Sequence, residues 1–214
     1  MATLTYVAEG SVSYEDTNGA RGVLESGGLE WMRSGRGVWH GGGPGHSRLT
    51  RGFQLWVALP PHLELGSSTS IYRSAEDVPA SGPARVLLGE HDGVKGAIAT
   101  PAGINYLAVR LRAGQRWRYM PPAGHDILWL AVGKGAMMTP ELIRRGELAV
   151  FAAGQDRIDF VASSETEFVL GSAPPHPHEL VTGRYSVHTS EEALAAGERR
   201  IREIYIELVR AGRL

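Results

Sequence analysis

The most informative stretch of the chain is residues 28–40, which read GLEWMRSGRGVWH. Residues 29–32 are typical of a short strand, and Gly35 and Gly37 predict a tight turn because glycine tolerates positive φ. A histidine that follows such a turn can point into a β-barrel, where one ring nitrogen binds a metal. His40 is therefore a candidate metal ligand. The alternative is a histidine that is hydrogen-bonded at the end of a strand.

The composition favours the same class of structure. The 214 residues include 28 glycines and 12 prolines, about one residue in five, whereas average usage is about 12% for the two together. Both residues are unfavourable inside helices, so a mainly helical protein is excluded. A hydrophobic content of 43% excludes global disorder. The length fits one large domain or two small ones.

Charge and special segments restrict the partners and the compartment. Lys and Arg number 22 against 23 Asp and Glu, so there is no basic surface excess for nucleic acid. The sequence has no apolar run long enough for a transmembrane helix, and its first residues do not resemble a signal peptide. The chain has no cysteine, which leaves histidine and carboxylates as metal ligands. We therefore expect a cytoplasmic protein without a direct nucleic-acid or membrane partner.

Short strands separated by glycine-rich breaks recur along the chain. A spacing of roughly 8–12 residues between turns is typical of a sandwich or a barrel. Asn18-Gly19 is the strongest hairpin signal, because both residues tolerate positive φ. The predicted strands include residues 3–7, 12–14, 23–24, 29–32, 52–59, 107–111, 127–132, 148–151, 158–161 and 168–170.

One helix is predicted near the C-terminus. Thr189 and Glu192 have the spacing of a capping box, with Thr189 as N-cap, and Gly212 is a stop signal. An apolar stripe at helical spacing consists of Ile201, Ile204, Tyr205, Leu208 and Val209. We expect this stripe to pack on a sheet; a helix that binds a partner is the alternative.

Three stretches together carry a resemblance to a known family. Residues 28–40, residues 52–60 (GFQLWVALP) and residues 88–96 (LGEHDGVKG) occur, with the closing helix, in the order found in the pirin family, a branch of the bicupins. The resemblance covers essentially the whole chain. It implies an all-β fold of two stacked cupin barrels, each a double-stranded β-helix or jelly roll, with a C-terminal α-helix.

The resemblance also implies a domain organisation. Residues 1–60 match the N-terminal cupin, 61–100 a connection, 101–180 the C-terminal cupin and 187–212 the final helix. The first cupin lacks its opening strands, so we expect Met1 to be an internal methionine of a longer protein. An incomplete barrel exposes sheet edges and apolar surface, which predicts a homodimer or poor solubility.

Pirin-like proteins are expected to bind one metal, iron or another divalent transition metal, in the first cupin. Its ligands are a His-x-His pair, a third histidine and a glutamate two residues later. His40 matches the third histidine, but Gly42 stands at the glutamate position and the pair would precede Met1. His46 could substitute for the glutamate only if its loop folds back; otherwise it is a solvent-facing loop histidine.

Other histidines are weaker candidates. His176 and His178 have the composition of the missing pair, but the flanking prolines favour an extended surface loop. His125 stands beside Asp126 in the second cupin, and one imidazole does not hold a transition metal tightly. The second cupin is therefore expected to be a structural, metal-free barrel.

The resemblance implies a metal-dependent dioxygenase of the quercetin 2,3-dioxygenase type, acting on a small aromatic, flavonol-like substrate. Because only His40 matches the ligand set, the metal site is expected to be impaired. A non-catalytic regulatory module that binds a protein partner is the alternative. A stable remnant that keeps the barrels and little else is a third interpretation.

Overall fold

The computed structural model describes residues 1–99 and 103–214, and within them the chain is built mainly from β-strands. The all-β prediction is therefore confirmed. The chain forms two compact units: the first unit is Met1–Glu76 with His176–Leu214, and the second unit is Asp77–Pro175. Among these described residues, neither helix combines the length and the apolar character needed to cross a membrane.

The first unit contains nine strands and both helices of the described residues. Its elements are β1 (Ala2–Glu9), β2 (Ser11–Asp16), β3 (Arg21–Glu25), β4 (Leu29–Arg33), β5 (His40–Pro44), β6 (Arg51–Val57), α1 (Pro61–Glu64), β7 (Thr69–Arg73), β20 (Val181–Thr182), β21 (Val187–His188) and α2 (Glu191–Arg210).

The second unit follows a 3-10 turn at Ala75–Asp77. Its strands are β8 (Ala80–Ser81), β9 (Ala84–Leu88), β10 (Glu90–His91), β11 (Val94–Lys95), β12 (Asn105–Leu111), β13 (Arg116–Tyr119), β14 (Ile127–Lys134), β15 (Ala136–Thr139), β16 (Glu141–Arg144), β17 (Leu148–Val150), β18 (Ile158–Ala162) and β19 (Thr166–Ala173).

Two sheets make the body of the first unit. One has the order β6-β1-β4-β7 and the other the order β3-β2-β5. The turn from β1 to β2 requires glycine, because Gly10 has a φ of 79° and a Cβ atom there would lie 2.1 Å from the carbonyl oxygen of Leu49. Leu4 and Trp31, which pair across β1 and β4, are both buried.

The second unit closes around its own core. Its two main sheets have the orders β17-β14-β19-β12-β9-β8 and β13-β18-β15-β16. Tyr119, Phe160 and Phe168 are fully buried in this core, and Trp117 stacks on Phe160 with ring centroids 5.4 Å apart. Trp117 and Tyr119 therefore serve packing, as their alternation along β13 favours.

The same strand pattern occurs in both units. β1 pairs with β4 and β6, and β2 pairs with β3 and β5. Likewise β14 pairs with β17 and β19, and β15 pairs with β16 and β18. Strands β14–β19 thus repeat strands β1–β6 in order and pairing.

The segment predicted as a connection, residues 61–100, takes part in both units. β7 adds to β4 of the first unit, while β9 adds to β12 of the second. Val86 and Leu88 of β9 are fully buried, so this strand contributes apolar side chains to the interior of the protein. Residues 100–102 of the predicted boundary lie outside the described residues.

The C-terminal segment returns to the first unit. The buried carboxylate of Glu64 accepts hydrogen bonds from the backbone N–H of Thr189 (2.9 Å) and from its hydroxyl (2.7 Å). The capping-box spacing predicts Thr189 as the N-cap of α2, and this prediction is wrong because the Thr189 side chain bonds Glu64. Ser190 takes that position, and its hydroxyl accepts from the N–H of Ala193 at 3.1 Å.

The predicted helix forms, and it packs against the first unit through a narrower stripe than expected. Ile204 and Leu208 are buried, whereas Tyr205 and Val209 are 50% and 44% exposed. Gly197 permits close approach, because a Cβ atom there would lie 2.8 Å from Nε2 of His188. The burial of Ile204 and Leu208 supports the prediction that the helix packs on the rest of the first unit.

Candidate functional site

The glycine turn predicted before His40 is present in the structure. Gly35 and Gly37 have φ values of 53° and 143°, and the N–H of Gly37 donates to the carbonyl of Ser34 at 2.9 Å. His40 is the first residue of β5 and lies opposite Asp16 of β2. Its side chain is 37% exposed, so the imidazole is accessible to solvent.

A buried carboxylate on the facing sheet contacts this imidazole. Oε1 of Glu30 lies 3.5 Å from Nδ1 of His40. The Glu30 carboxylate raises the pKa of His40 above its usual value, chiefly by accepting a hydrogen bond from the ring, while partial burial opposes the shift. One ring nitrogen of His40 is therefore already engaged by the protein.

Tyr72 joins two carboxylates behind His40. Its hydroxyl lies 3.0 Å from Oδ2 of Asp16 and 3.1 Å from Oε1 of Glu30. Burial is the main cause that raises the pKa of Tyr72, and the two carboxylates add to it. The phenol has one hydrogen and can donate to one carboxylate at a time, so the second carboxylate needs another proton or cation. His40, whose pKa is raised, is the side chain next to Glu30 that can take up this proton.

Asp16 is held in the ionised form. Burial alone would raise its pKa, but hydrogen bonds from Ser70, Ala20, Tyr72 and Asn18 lower it below its usual value. The backbone N–H groups of Asn18 and Ala20 donate to Oδ1 at 2.8 and 3.0 Å. Asp16 thus closes the Asn18-Gly19 turn and also contacts the cluster.

His40 lies where two cavities of the first unit meet. One has a volume of about 470 Å³ and is lined by Glu30, His40 and Gln54 among others. The other, of about 430 Å³, is lined by His40 and Gln54 again and by Trp39, Trp56 and other apolar side chains. Volumes of this size are typical of small-molecule sites.

Gln54 organises the wall that the two cavities share. The indole N–H of Trp56 donates to Oε1 of Gln54 at 3.1 Å, and Nε2 of Gln54 donates to the hydroxyl of Thr5 at 3.3 Å. Thr5 lies opposite Gln54 across β1 and β6. This row of polar groups supplies directional contacts beside an apolar, tryptophan-lined surface.

The side chains around His40 do not fit a transition-metal centre. Gly42, which stands where the resemblance implies a glutamate ligand, pairs with Tyr14 and carries no ligand atom. Within residues 1–99 and 103–214, no three His, Asp or Glu side chains are grouped so that they could hold a metal. A metal centre of this type needs three or four protein ligands.

The structure does not bring His46 to His40. His40 lies opposite Asp16 at one end of β2, whereas the N–H of His46 donates to the hydroxyl of Ser11 at the other end, at 2.8 Å. The chain between the two histidines is extended along β2, a path of roughly 3.3 Å per residue. His46 is exposed in the loop that follows β5.

The remaining candidate histidines lie elsewhere. His176 and His178 contact each other locally: Nδ1 of His176 accepts from the N–H of His178 at 3.3 Å. In the second unit, Nδ1 of His125 lies 2.7 Å from the hydroxyl of Ser172. That hydroxyl lies 2.7 Å from the Tyr119 hydroxyl, which accepts a hydrogen bond from Asn105 at 3.2 Å.

Sequence reasoning missed Asp16, Glu30 and Tyr72. A signal for Glu30 was available, because a carboxylate stands between the apolar residues Leu29 and Trp31 of this strand. Asp16 and Tyr72 are 56 residues apart in sequence and meet only through sheet pairing, so no local pattern marks them.

Comparisons with known proteins point to one family. The sequence profile described as Pirin matches residues 1–57. A pirin-like protein of Arabidopsis thaliana is 27% identical over 208 residues, covering 89% of this chain and 67% of that protein. A Pseudomonas aeruginosa protein named "putative quercetin 2,3-dioxygenase" is 32% identical over 206 residues, covering 89% of this chain and 72% of that protein.

Solved structures share the fold. The quercetin 2,3-dioxygenase from Acinetobacter baumannii superposes with a TM-score of 0.87 at 23% identity, covering 94% of this chain and 74% of that one. The bacterial pirin YhhW from Escherichia coli, in complex with nickel(II), has a TM-score of 0.66 at 20% identity, covering 82% and 73%. Both comparisons support a fold of two cupin units.

The matches differ in how much of the relatives they span. The chain covers about two thirds of the length of the Arabidopsis protein and somewhat more of the Pseudomonas one. The sequence profile lies over the first unit, and the identity to the Pseudomonas protein extends over both units. The chain therefore belongs to the pirin family of bicupin proteins.

Proposed function

We propose that the first unit binds a small aromatic, flavonol-like molecule beside His40. The chain is then related to oxidoreductases of the quercetin 2,3-dioxygenase type, with an impaired metal site that retains ligand binding and supports little or no oxygen chemistry. The observation that carries this proposal is the position of His40 at the junction of two cavities, with Glu30 on one ring nitrogen and, in the described residues, no group of three His, Asp or Glu side chains that could hold a metal.

The cavity walls favour a flat, partly hydroxylated ligand. Trp39 and Trp56 offer large apolar surfaces, and aromatic rings bind such surfaces by stacking or edge contact. Gln54 and Thr5 supply hydrogen-bonding groups next to them. The names of the relatives from Pseudomonas and Acinetobacter refer to quercetin, a flavonol, which supports the same ligand class.

Impairment follows from the donor set. Iron or another divalent transition metal would need three or four ligands, and the chain offers His40 with a glycine at position 42. The Glu30 carboxylate is already engaged by Tyr72 as well as by His40. We therefore infer weak or no dioxygenase activity from this chain, while ligand binding is retained.

The shortage of metal ligands around His40 among the described residues also favours a second, non-catalytic function. A pirin-like module that binds a small aromatic molecule without converting it could act as a non-catalytic regulator of a protein partner. This proposal needs the cavity but not a metal centre. A dioxygenase consumes oxygen when it binds the aromatic ligand, whereas a non-catalytic module binds the same ligand without oxygen consumption.

Calorimetric titration with quercetin tests the binding proposal. The wild-type chain should bind quercetin saturably at one site, and Gln54→Ala should weaken binding by about tenfold through loss of the polar wall. The matched control is Gln115→Ala, a residue in a turn of the second unit that bonds the N–H of Arg112 at 3.0 Å. Absence of saturable binding, or equal losses in both variants, would overturn the proposal.

A further inference from the structure

The edge of the second unit's larger sheet is formed by a short apolar strand. β17 consists of Leu148, Ala149 and Val150, and it pairs with β14 on one side only. Leu148 is 63% and Val150 72% exposed. Natural edge strands are usually protected by charges, prolines or bulges, and this strand has no charged residue and no proline.

The repeat of strands β1–β6 in β14–β19 shows how the edge equivalent to β17 is covered in the first unit. β17 is the counterpart of β4, and each strand begins shortly after a glycine of positive φ, Gly146 at 84° and Gly27 at 86°. In the first unit β7 adds to the outer edge of β4. Leu29 and Trp31, the counterparts of Leu148 and Val150, lie within this pairing, opposite Arg73 and Ile71 of β7. The equivalent edge is therefore one that a further strand can cover.

The direction of the backbone hydrogen bonds shows which groups are free. The N–H of Val132 donates to the carbonyl of Glu147, and the N–H of Phe151 donates to the carbonyl of Leu128. Residues at alternate positions of an antiparallel strand point their N–H and C=O groups to opposite sides. The backbone groups of Leu148 and Val150 therefore point away from β14, towards the free edge.

We propose that β17 is a self-association site, at which a second copy of this chain adds its own β17 in antiparallel orientation. A two-fold axis at Ala149 places Leu148 of each copy opposite Val150 of the other. Four backbone hydrogen bonds then join the two strands, and four exposed apolar side chains meet on one face.

A second copy fits this edge because β17 has an apolar residue on each side of its central residue, Ala149. Within the three residues of β17, pairing with a second copy therefore places no charge opposite an apolar side chain. The interface is built on a strand of three residues and should therefore bury less than the roughly 800 Å² per partner that is usual for stable interfaces. The dimer should accordingly depend on protein concentration. This proposal concerns the second unit and is independent of ligand binding in the first.

Disulfide trapping tests the register directly. The chain has no cysteine, so Ala149→Cys introduces a single thiol. The proposed two-fold axis brings the two Cα atoms at position 149 to about 4.5 Å, the spacing of a non-hydrogen-bonded pair and within disulfide range. Mild oxidation should give a covalent dimer. The control Leu142→Cys, on the edge strand β16 of the other sheet, should stay monomeric.

Sedimentation of the full chain over a concentration series provides the second test. The wild type should pass from monomer to dimer, and Leu148→Lys should raise the dissociation constant by about tenfold or more. Leu148 is largely exposed, so circular dichroism should be unchanged in this variant. A wild type that remains monomeric, a dimer unaffected by Leu148→Lys, or cross-linking of both cysteine variants would overturn the proposal.

Discussion

Oε1 of Glu30 lies 3.5 Å from Nδ1 of His40, and this contact joins the two sheets of the first unit, since Glu30 lies in β4 and His40 in β5. The pair positions the imidazole beside both cavities. It also engages one ring nitrogen, so the contact both orients His40 and limits its use as a ligand.

Replacing Glu30 tests the effect of this contact on His40. Glu30→Gln removes the carboxylate that raises the pKa of His40, so the pKa should fall towards or below its usual value of about 6.5. A pH titration of the imidazole by NMR measures the shift. Glu9→Gln, at the exposed end of β1, is the control and should leave the titration unchanged.

The same pair gives a stability effect with a defined sign. A histidine whose pKa is raised on folding stabilises the protein fully below its unfolded pKa of about 6.5, and the contribution is lost as the pH rises through the folded value. The free energy of unfolding of the wild type relative to Glu30→Gln should therefore shrink as the pH is raised from about 6 towards about 8.5. A gap that grows over this range would contradict the interpretation.

Tyr72 should stabilise the first unit through its hydroxyl. Tyr72→Phe leaves Asp16 and Glu30 without their shared donor and should lower the free energy of unfolding by about 1–2 kcal/mol. Urea denaturation measures the change. Tyr14→Phe is the matched control, because the Tyr14 ring stacks on Tyr72 at 3.7 Å while the carboxylate contacts stay intact. Equal losses in both variants would argue against the hydroxyl as the cause.

Glu64 should be required for the return of the C-terminal segment. Its buried carboxylate accepts two hydrogen bonds from Thr189 and lies 3.3 Å from Nδ1 of His188. Glu64→Gln removes the charge and one acceptor, and it should cost about 2 kcal/mol in unfolding free energy. Limited proteolysis should then cleave the C-terminal segment faster. The exposed control Glu179→Gln should change neither quantity.

His125 gives the second unit the opposite pH dependence. Burial is the main cause that lowers its pKa, so the folded state disfavours the protonated ring. Because burial favours the neutral ring, its contribution to stability should be fully present above about pH 6.5 and be lost as the pH falls below it. Hydrogen exchange of β19 should speed up on acidification in the wild type and be less sensitive to pH in His125→Ala. An unchanged pH response in the variant would contradict this role.

Much of the fold could be predicted because local signals mark it. Glycines such as Gly10 and Gly135 separate strands at turns of positive φ, and the final helix has its own caps and stripe. The partition of residues 61–100 between the units could not be predicted. It depends on pairings such as β7 with β4, which bring together segments about 40 residues apart.

The candidate site could be predicted only in part for the same reason. His40 follows a local glycine turn and is marked by the sequence. The Glu30, Tyr72 and Asp16 contacts depend on the packing of two sheets, and the bond from Glu64 to Thr189 spans 125 residues. Such contacts leave no spacing pattern along the chain.

Oxygen consumption by the purified chain, supplied with iron(II) and quercetin, tests the central claim most directly. Quercetin should bind in the first unit, yet oxygen uptake should not exceed that of iron(II) and quercetin in buffer alone, because the described residues bring no three metal-ligating side chains together and a transition metal needs three or four ligands. Catalytic uptake that His40→Ala abolishes would contradict the account, since it would show a working metal centre built on His40.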